Sequence, residues 1–207
     1  DAGERLQGAP RLTNIVRDGQ WLYISDDTLP IIHVVDMSQQ GAPKEVAPLE
    51  VSSLLDPAKK PTVTGLAVSP VTRDFRRFLY AIERREGTIA VFDVTDPEKG
   101  PRGPLARPNP ELTPFQPPDR LAFAVPVVAV GFARHDLPLR NAGTPAAAAG
   151  ALCDPNPANV NTVGAAYRND RSADIALGPD RLRGVFAFVT LSNGSVITVD
   201  VDDWDAP

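Results

Sequence analysis

The chain has 207 residues, enough to bury a core and to make one domain or two small ones. Hydrophobic residues make up 43% and charged residues 23%, the balance of a folded protein rather than a disordered one. A net charge of −5 excludes a general pull toward nucleic acid or anionic lipid, and an aromatic content of 6% leaves little to stack on bases.

Twenty-two prolines and 15 glycines imply many turns and few long helices. In chain order, a loose strand over Arg11 to Val16 precedes the segment Trp21 to Asp36. That segment reads as a strand (Leu22 to Ile24), a turn at Pro30 and a returning strand (Ile31 to Val35). A fourth, outer strand follows over Glu45 to Leu54. The pattern then recurs: a strand over Gly65 to Ser69 broken at Pro70, a hairpin over Phe78 to Asp93 turning at Gly87, and an outer strand over Arg120 to Ala129. Residues 101–119 and 138–160 are rich in proline, alanine and asparagine, with a low-complexity run at Ala146 to Ala149. Val127 to Phe132 and Thr162 to Tyr167 form a candidate strand pair inside this excursion. A last copy has a strand over Asp174 to Leu177, broken at Pro179, and a hairpin over Val185 to Asp200 that turns at Ser192-Asn193-Gly194.

Trp21 to Asp36, Phe78 to Asp93 and Val185 to Asp200 align without gaps over 16 positions, and each runs on into Ala-Pro or Gly-Pro. Proline cannot donate to a ladder, so Pro43, Pro101 and Pro207 read as unit boundaries. The shared aspartates lie 57 and then 107 residues apart, against about 40–50 for one propeller blade. The second interval reads as two blades, one of them degenerate, or as one blade carrying a long excursion, and the composition of residues 101–119 and 138–160 favours the excursion. The expected organisation is all-β: one partial propeller over 1–207, with repeat cores at about 11–54, 62–129 and 173–207 and an insertion at about 130–172. The start at Asp1, with neither methionine nor signal segment, fits a processed or truncated chain.

Gly65-Leu-Ala-Val-Ser-Pro70, Phe78-Leu-Tyr80 and Gly87-Thr-Ile-Ala-Val-Phe-Asp93, echoed by the third copy, resemble the YVTN/LVIVD class of bacterial β-propeller repeats over roughly half of the chain. The resemblance implies radial four-stranded blades and a periplasmic, outer-surface or secreted location. It specifies no chemistry, because propellers host lactonases, electron-transfer enzymes, adhesins and scaffolds alike. A closed ring takes four to eight blades. Three repeats thus imply an incomplete ring, part of a larger propeller, or a partner that caps the open edge.

The repeated Asp36, Asp93 and Asp200 are expected to accept backbone N–H groups in the turns that follow them, with Gly87 and Gly194 as turn glycines. Ser25-Asp26-Asp27 reads as turn chemistry beside Pro30. Asp200 and Asp202 share one face of a strand and are the candidate ligands for a hard cation such as Ca²⁺, although no complete calcium loop surrounds them. No other cofactor is expected. His33 reads as a packed or edge histidine. His135, with Arg134, Asp136, Arg140, Arg168 and Arg171 in or beside the excursion, forms the candidate binding set, since clustered guanidinium groups grip carboxylate or phosphate. Cys153 excludes an intrachain disulfide and, lacking a basic neighbour, reads as an inert thiol. Nucleophile elbow, phosphate loop and His-Glu-x-x-His are missing, and no stretch approaches 18 apolar residues.

The expected function is a non-enzymatic binding or scaffold module that recognises a protein partner or a further propeller chain through residues 130–172. Two other readings stand beside it. One is a lactonase-like or quinoprotein-like enzyme with its site on a central channel, which the apolar first strands (Leu66 to Val68, Ile175 to Leu177) disfavour. The other is a structural subunit of an envelope assembly completed by strand donation.

Overall fold

Short runs of β-branched and aromatic residues, punctuated by glycine and proline, become strands in the structure, a computed structural model in which residues 11–39, 41–56, 58, 61–106, 117–135 and 184–203 are described. Those residues form no helix and eleven strands: β1 (Leu12–Asp18), β2 (Trp21–Asp26), β3 (Ile31–Asp36), β4 (Lys44–Glu50), β5 (Gly65–Val68), β6 (Phe78–Glu83), β7 (Thr88–Asp93), β8 (Arg120–Ala122), β9 (Val127–His135), β10 (Gly184–Leu191) and β11 (Val196–Asp203). They make three sheets, none closed, ordered β1-β2-β3-β4, β5-β6-β7-β8 and β11-β10-β9. The first two are antiparallel meanders. The chain divides into two compact units, Asp1–Phe132 with Ala187–Val199 and Ala133–Phe186 with Asp200–Pro207. Most of the described residues belong to the first.

Alternation along the strands gives each sheet two distinct faces. Tyr23, Ile32, Val34 and Leu49 from the first sheet form one buried cluster with Leu66, Leu79, Ala81, Ala90 and Phe92 from the second. The register explains the grouping, because Leu79 lies opposite Phe92 and Ala81 opposite Ala90. The other face of the second sheet carries Tyr80, Ile82 and Ile89, all buried. There the Tyr80 ring meets Phe132 of β9 edge-on, with centroids 4.9 Å apart at 69°. Tyr23 and Tyr80 occupy the same position in the 16-residue alignment. Each points from its own sheet toward a neighbouring one.

The linker between the first two sheets is tied at its start. The Arg120 guanidinium donates to the Ser52 carbonyl at 2.6 Å and to Ser52 Oγ at 3.1 Å while pairing with Asp119 at 2.7 Å. Glu86 accepts from the Ser53 hydroxyl and from the Leu54 N–H at 2.6 Å.

Two boundaries differ from the sequence expectation. The outer strand expected over Arg120 to Ala129 is two strands in different sheets: β8 completes the second sheet, and β9 belongs to the third. Pro126 sits at the break, where it leaves no N–H for a ladder. The candidate strand over Val127 to Phe132 is present and longer, as β9 runs to His135. The strand expected over Asp174 to Leu177 lies outside the described residues, as do the strand expected at Thr162 to Tyr167 and Cys153.

The two turn glycines differ in what surrounds them. Both have positive φ, +66° at Gly87 and +85° at Gly194. A Cβ on Gly87 would lie 2.8 Å from the Val125 carbonyl oxygen, whereas one on Gly194 meets nothing within 4 Å. Gly194→Ala is therefore expected to cost about 1 kcal/mol, from the backbone alone. Gly87→Ala is expected to cost at least about 2–3 kcal/mol, because strain and a backbone clash add. Urea denaturation of the two variants checks the order; equal losses would refute it.

Candidate functional site

Ionisable side chains withdrawn from water are where a site would be sought first, and the first sheet holds a cluster of them. The β2–β3 hairpin buries Asp26 completely. Its Oδ1 accepts the N–H groups of Thr28 (2.7 Å), Leu29 (3.0 Å) and Arg11 (3.1 Å). Oδ2 has no hydrogen-bond partner and faces His33 Nε2 across 3.6 Å. His33 lies in β3 opposite Ile24, where the β3–β4 register shifts, and its Nδ1 stands 2.5 Å from Glu45 Oε1 of β4. Both ring nitrogens thus face carboxylates. Burial opposes ionisation of Asp26, but the three N–H groups and His33 outweigh it, and its pKa lies below the ordinary aspartate value.

Glu83 holds the same alignment position in the second hairpin and is also buried. It accepts the Arg85 N–H at 3.0 Å and the Glu86 N–H. Here burial prevails, with help from the adjacent Glu86 carboxylate, and the pKa is raised. Two hairpins therefore each use a buried carboxylate to gather the N–H groups of their own turn. One is held ionised, and the other is pushed toward its neutral form.

The shared aspartates behave locally. Asp36 accepts the Ser38 N–H at 2.8 Å and the Ser38 hydroxyl at 3.0 Å. Asp93 accepts the Thr95 N–H at 3.0 Å and the Thr95 hydroxyl at 2.6 Å, and Arg76 bonds its other oxygen at 2.6 Å. Burial opposes ionisation of Asp93, yet Thr95 and Arg76 win and its pKa is lowered. Asp200 differs: two residues on stands Asp202 rather than a hydroxyl, and β11 continues through both to Asp203. Strand alternation puts Asp200 and Asp202 on one face. Among the described residues, no three His, Cys, Asp or Glu side chains converge as metal ligands.

Of the candidate binding set, Arg134 is exposed near the end of β9 and His135 is that strand's last residue. Asp136, Arg140, Arg168 and Arg171 lie outside the described residues. The Asp26–His33–Glu45 grouping was not legible as a unit, because Glu45 is brought to His33 only by the β3–β4 pairing. A crevice between the first two sheets, lined by Tyr23, Leu49, Asp93, Pro97 and Arg102 among others, is too narrow for a water molecule. The Tyr23 hydroxyl is buried without a partner, and burial raises its pKa.

Comparison with protein-family models, with characterised proteins and with solved structures finds no match to this chain. Among the described residues no helix is long and apolar enough to cross a membrane.

The two carboxylates have opposite pH signatures. With its folded-state pKa lowered, ionised Asp26 stabilises the fold above about pH 4, and the contribution is lost as the pH falls through the lowered value. With its pKa raised, Glu83 contributes fully below about pH 4.5 and loses that contribution as the pH rises through the raised value. Asp26→Asn is therefore expected to cost about 2 kcal/mol at pH 7, the deficit shrinking toward pH 3. Glu83→Gln keeps a carbonyl acceptor and sheds the charge, so it is expected to be neutral or stabilising at pH 7. Urea titrations at pH 7, 5 and 3 read both signs. Parallel curves for the two variants would contradict the assignment.

Proposed function

We propose that this chain is a non-enzymatic binding or scaffold module built of β-propeller repeats of the YVTN/LVIVD type, in a secreted, periplasmic or surface-exposed bacterial protein. The observation that carries the reading is the stacking sense. Tyr23 and Tyr80, at one repeat position, each face the neighbouring sheet, as successive wedges of a radial array require. Chemistry on the described residues supports recognition over catalysis. The buried carboxylates Asp26 and Glu83 are engaged by their own turns, and both nitrogens of His33 face carboxylates.

Apolar surface at the ends of the array supports recognition as well. Ile15 is 59% exposed on the first sheet, and Phe188 is 40% exposed on the third. A photo-crosslinking residue at position 15 or 188, introduced in the native host, is expected to trap discrete protein partners. The purified chain is expected to leave a panel of lactones unhydrolysed with and without Ca²⁺. Turnover that disappears in Asp26→Asn or His33→Ala would overturn the reading in favour of the enzyme.

A further inference from the structure

Two buried atoms of the first sheet face each other without a hydrogen-bond partner: Asp26 Oδ2 and His33 Nε2, 3.6 Å apart. On the other side of the ring, His33 Nδ1 lies within hydrogen-bonding distance of Glu45 Oε1. A neutral imidazole carries one N–H, whereas an imidazolium carries two. A ring with one proton therefore serves one carboxylate and turns a lone pair toward the other. The doubly protonated ring serves both, and a shift of under about 1 Å closes the Nε2 gap into a hydrogen bond.

The two carboxylates differ in what release costs. The Asp26 side chain is fully buried, so an oxygen left unpaired there has no water to turn to. The Glu45 side chain is 53% exposed and loses little by swinging into solvent. A ring with a single proton thus keeps it for Asp26. Around this group stand Arg17, which bonds the Gly19 carbonyl, the Arg11–Asp27 ion pair at the hairpin end, and Glu50 opposite Ile31.

Release of Glu45 matters because the β3–β4 ladder is interrupted beside it. Ile32 pairs with Leu49 and Val34 with Val46, so Ala47 and Pro48 together oppose the single residue His33. Pro48 has no N–H to give the ladder. The side-chain tie from His33 to Glu45 holds β4 where its backbone bonds are fewest.

We propose that His33 is a proton-operated latch on β4. Doubly protonated, it joins Glu45 to the buried Asp26; on giving one proton to solvent, it keeps Asp26 and frees Glu45. The closed form is fully present between the carboxylate and histidine ranges, about pH 5 to 6.5, and is lost at higher pH as the ring gives up its second proton. The latch belongs to the fold and stands apart from the binding-module reading.

Long-range ¹H–¹⁵N NMR of the whole chain reads the ring nitrogens directly. The chain has two histidines, His33 and His135, and His33→Asn assigns the signals. Both His33 nitrogens are expected to be protonated at pH 6, and Nδ1 is expected to be the bare one at pH 9. In urea denaturation, the unfolding equilibrium constant of the wild type is expected to rise about tenfold more between pH 6 and 8.5 than that of His33→Asn. Against Glu45→Gln, changed at an exposed side chain, the excess is expected to be about threefold. That second variant serves if His33→Asn does not fold. A singly protonated His33 at pH 6, a bare Nε2 at pH 9, or a Glu45→Gln curve parallel to the wild type would each overturn the proposal.

Discussion

The second sheet is apolar on both faces, with Leu79, Ala81, Ala90 and Phe92 on one and Tyr80, Ile82 and Ile89 on the other. A sheet of this kind cannot leave either face to water, so it exists only between two neighbours. That requirement accounts for much of the arrangement. The first sheet brings Tyr23, Ile32, Val34 and Leu49 to one face, and β9 brings Phe132 to the other. Sheets at the ends of such an array inherit the same problem with nothing described to relieve it, and so Ile15 and Phe188 stand in the open.

Turn chemistry is the second organising element. A hairpin whose tip is drawn into a core needs acceptors for N–H groups that no strand will satisfy. Asp26 and Glu83 supply them from the last position of β2 and β6. The same device has two electrostatic outcomes because the surroundings differ. Asp26 has a third N–H and His33 beside it, while Glu83 has the Glu86 carboxylate. Asp36 and Asp93 repeat the logic one strand later, each using a hydroxyl two residues on.

Hairpins were readable in the chain because alternating β-branched and aromatic residues flank Pro30, Gly87 and Gly194, and local turn chemistry dictates where the chain reverses. All-β architecture followed from the same signals, and the three hairpins lie where the alignment puts them. What the alignment could not supply was strand choice. In the third sheet the strand beside β10 is β9, which comes from far earlier in the chain than the hairpin it joins. Partner selection over such a distance depends on which apolar run can reach the open edge, and no local pattern encodes that. Pro126 lies inside the run read as one outer strand over Arg120 to Ala129, and it removes a ladder donor at the break between β8 and β9. The grouping of Asp26, His33 and Glu45 was hidden for a related reason: it is made by cross-strand register, not by spacing.

The lashing of Ser52 by Arg120 bears on the order in which the molecule assembles. The two residues are 68 positions apart, so during synthesis the first sheet emerges well before the group that fastens its exit. Until β8 is made and paired, the linker between the first two sheets lacks that anchor. Loop closure over this span is entropically slow to be rewarded. Maturation of the first two sheets is accordingly a joint event, timed by the arrival of a three-residue strand rather than by completion of either hairpin.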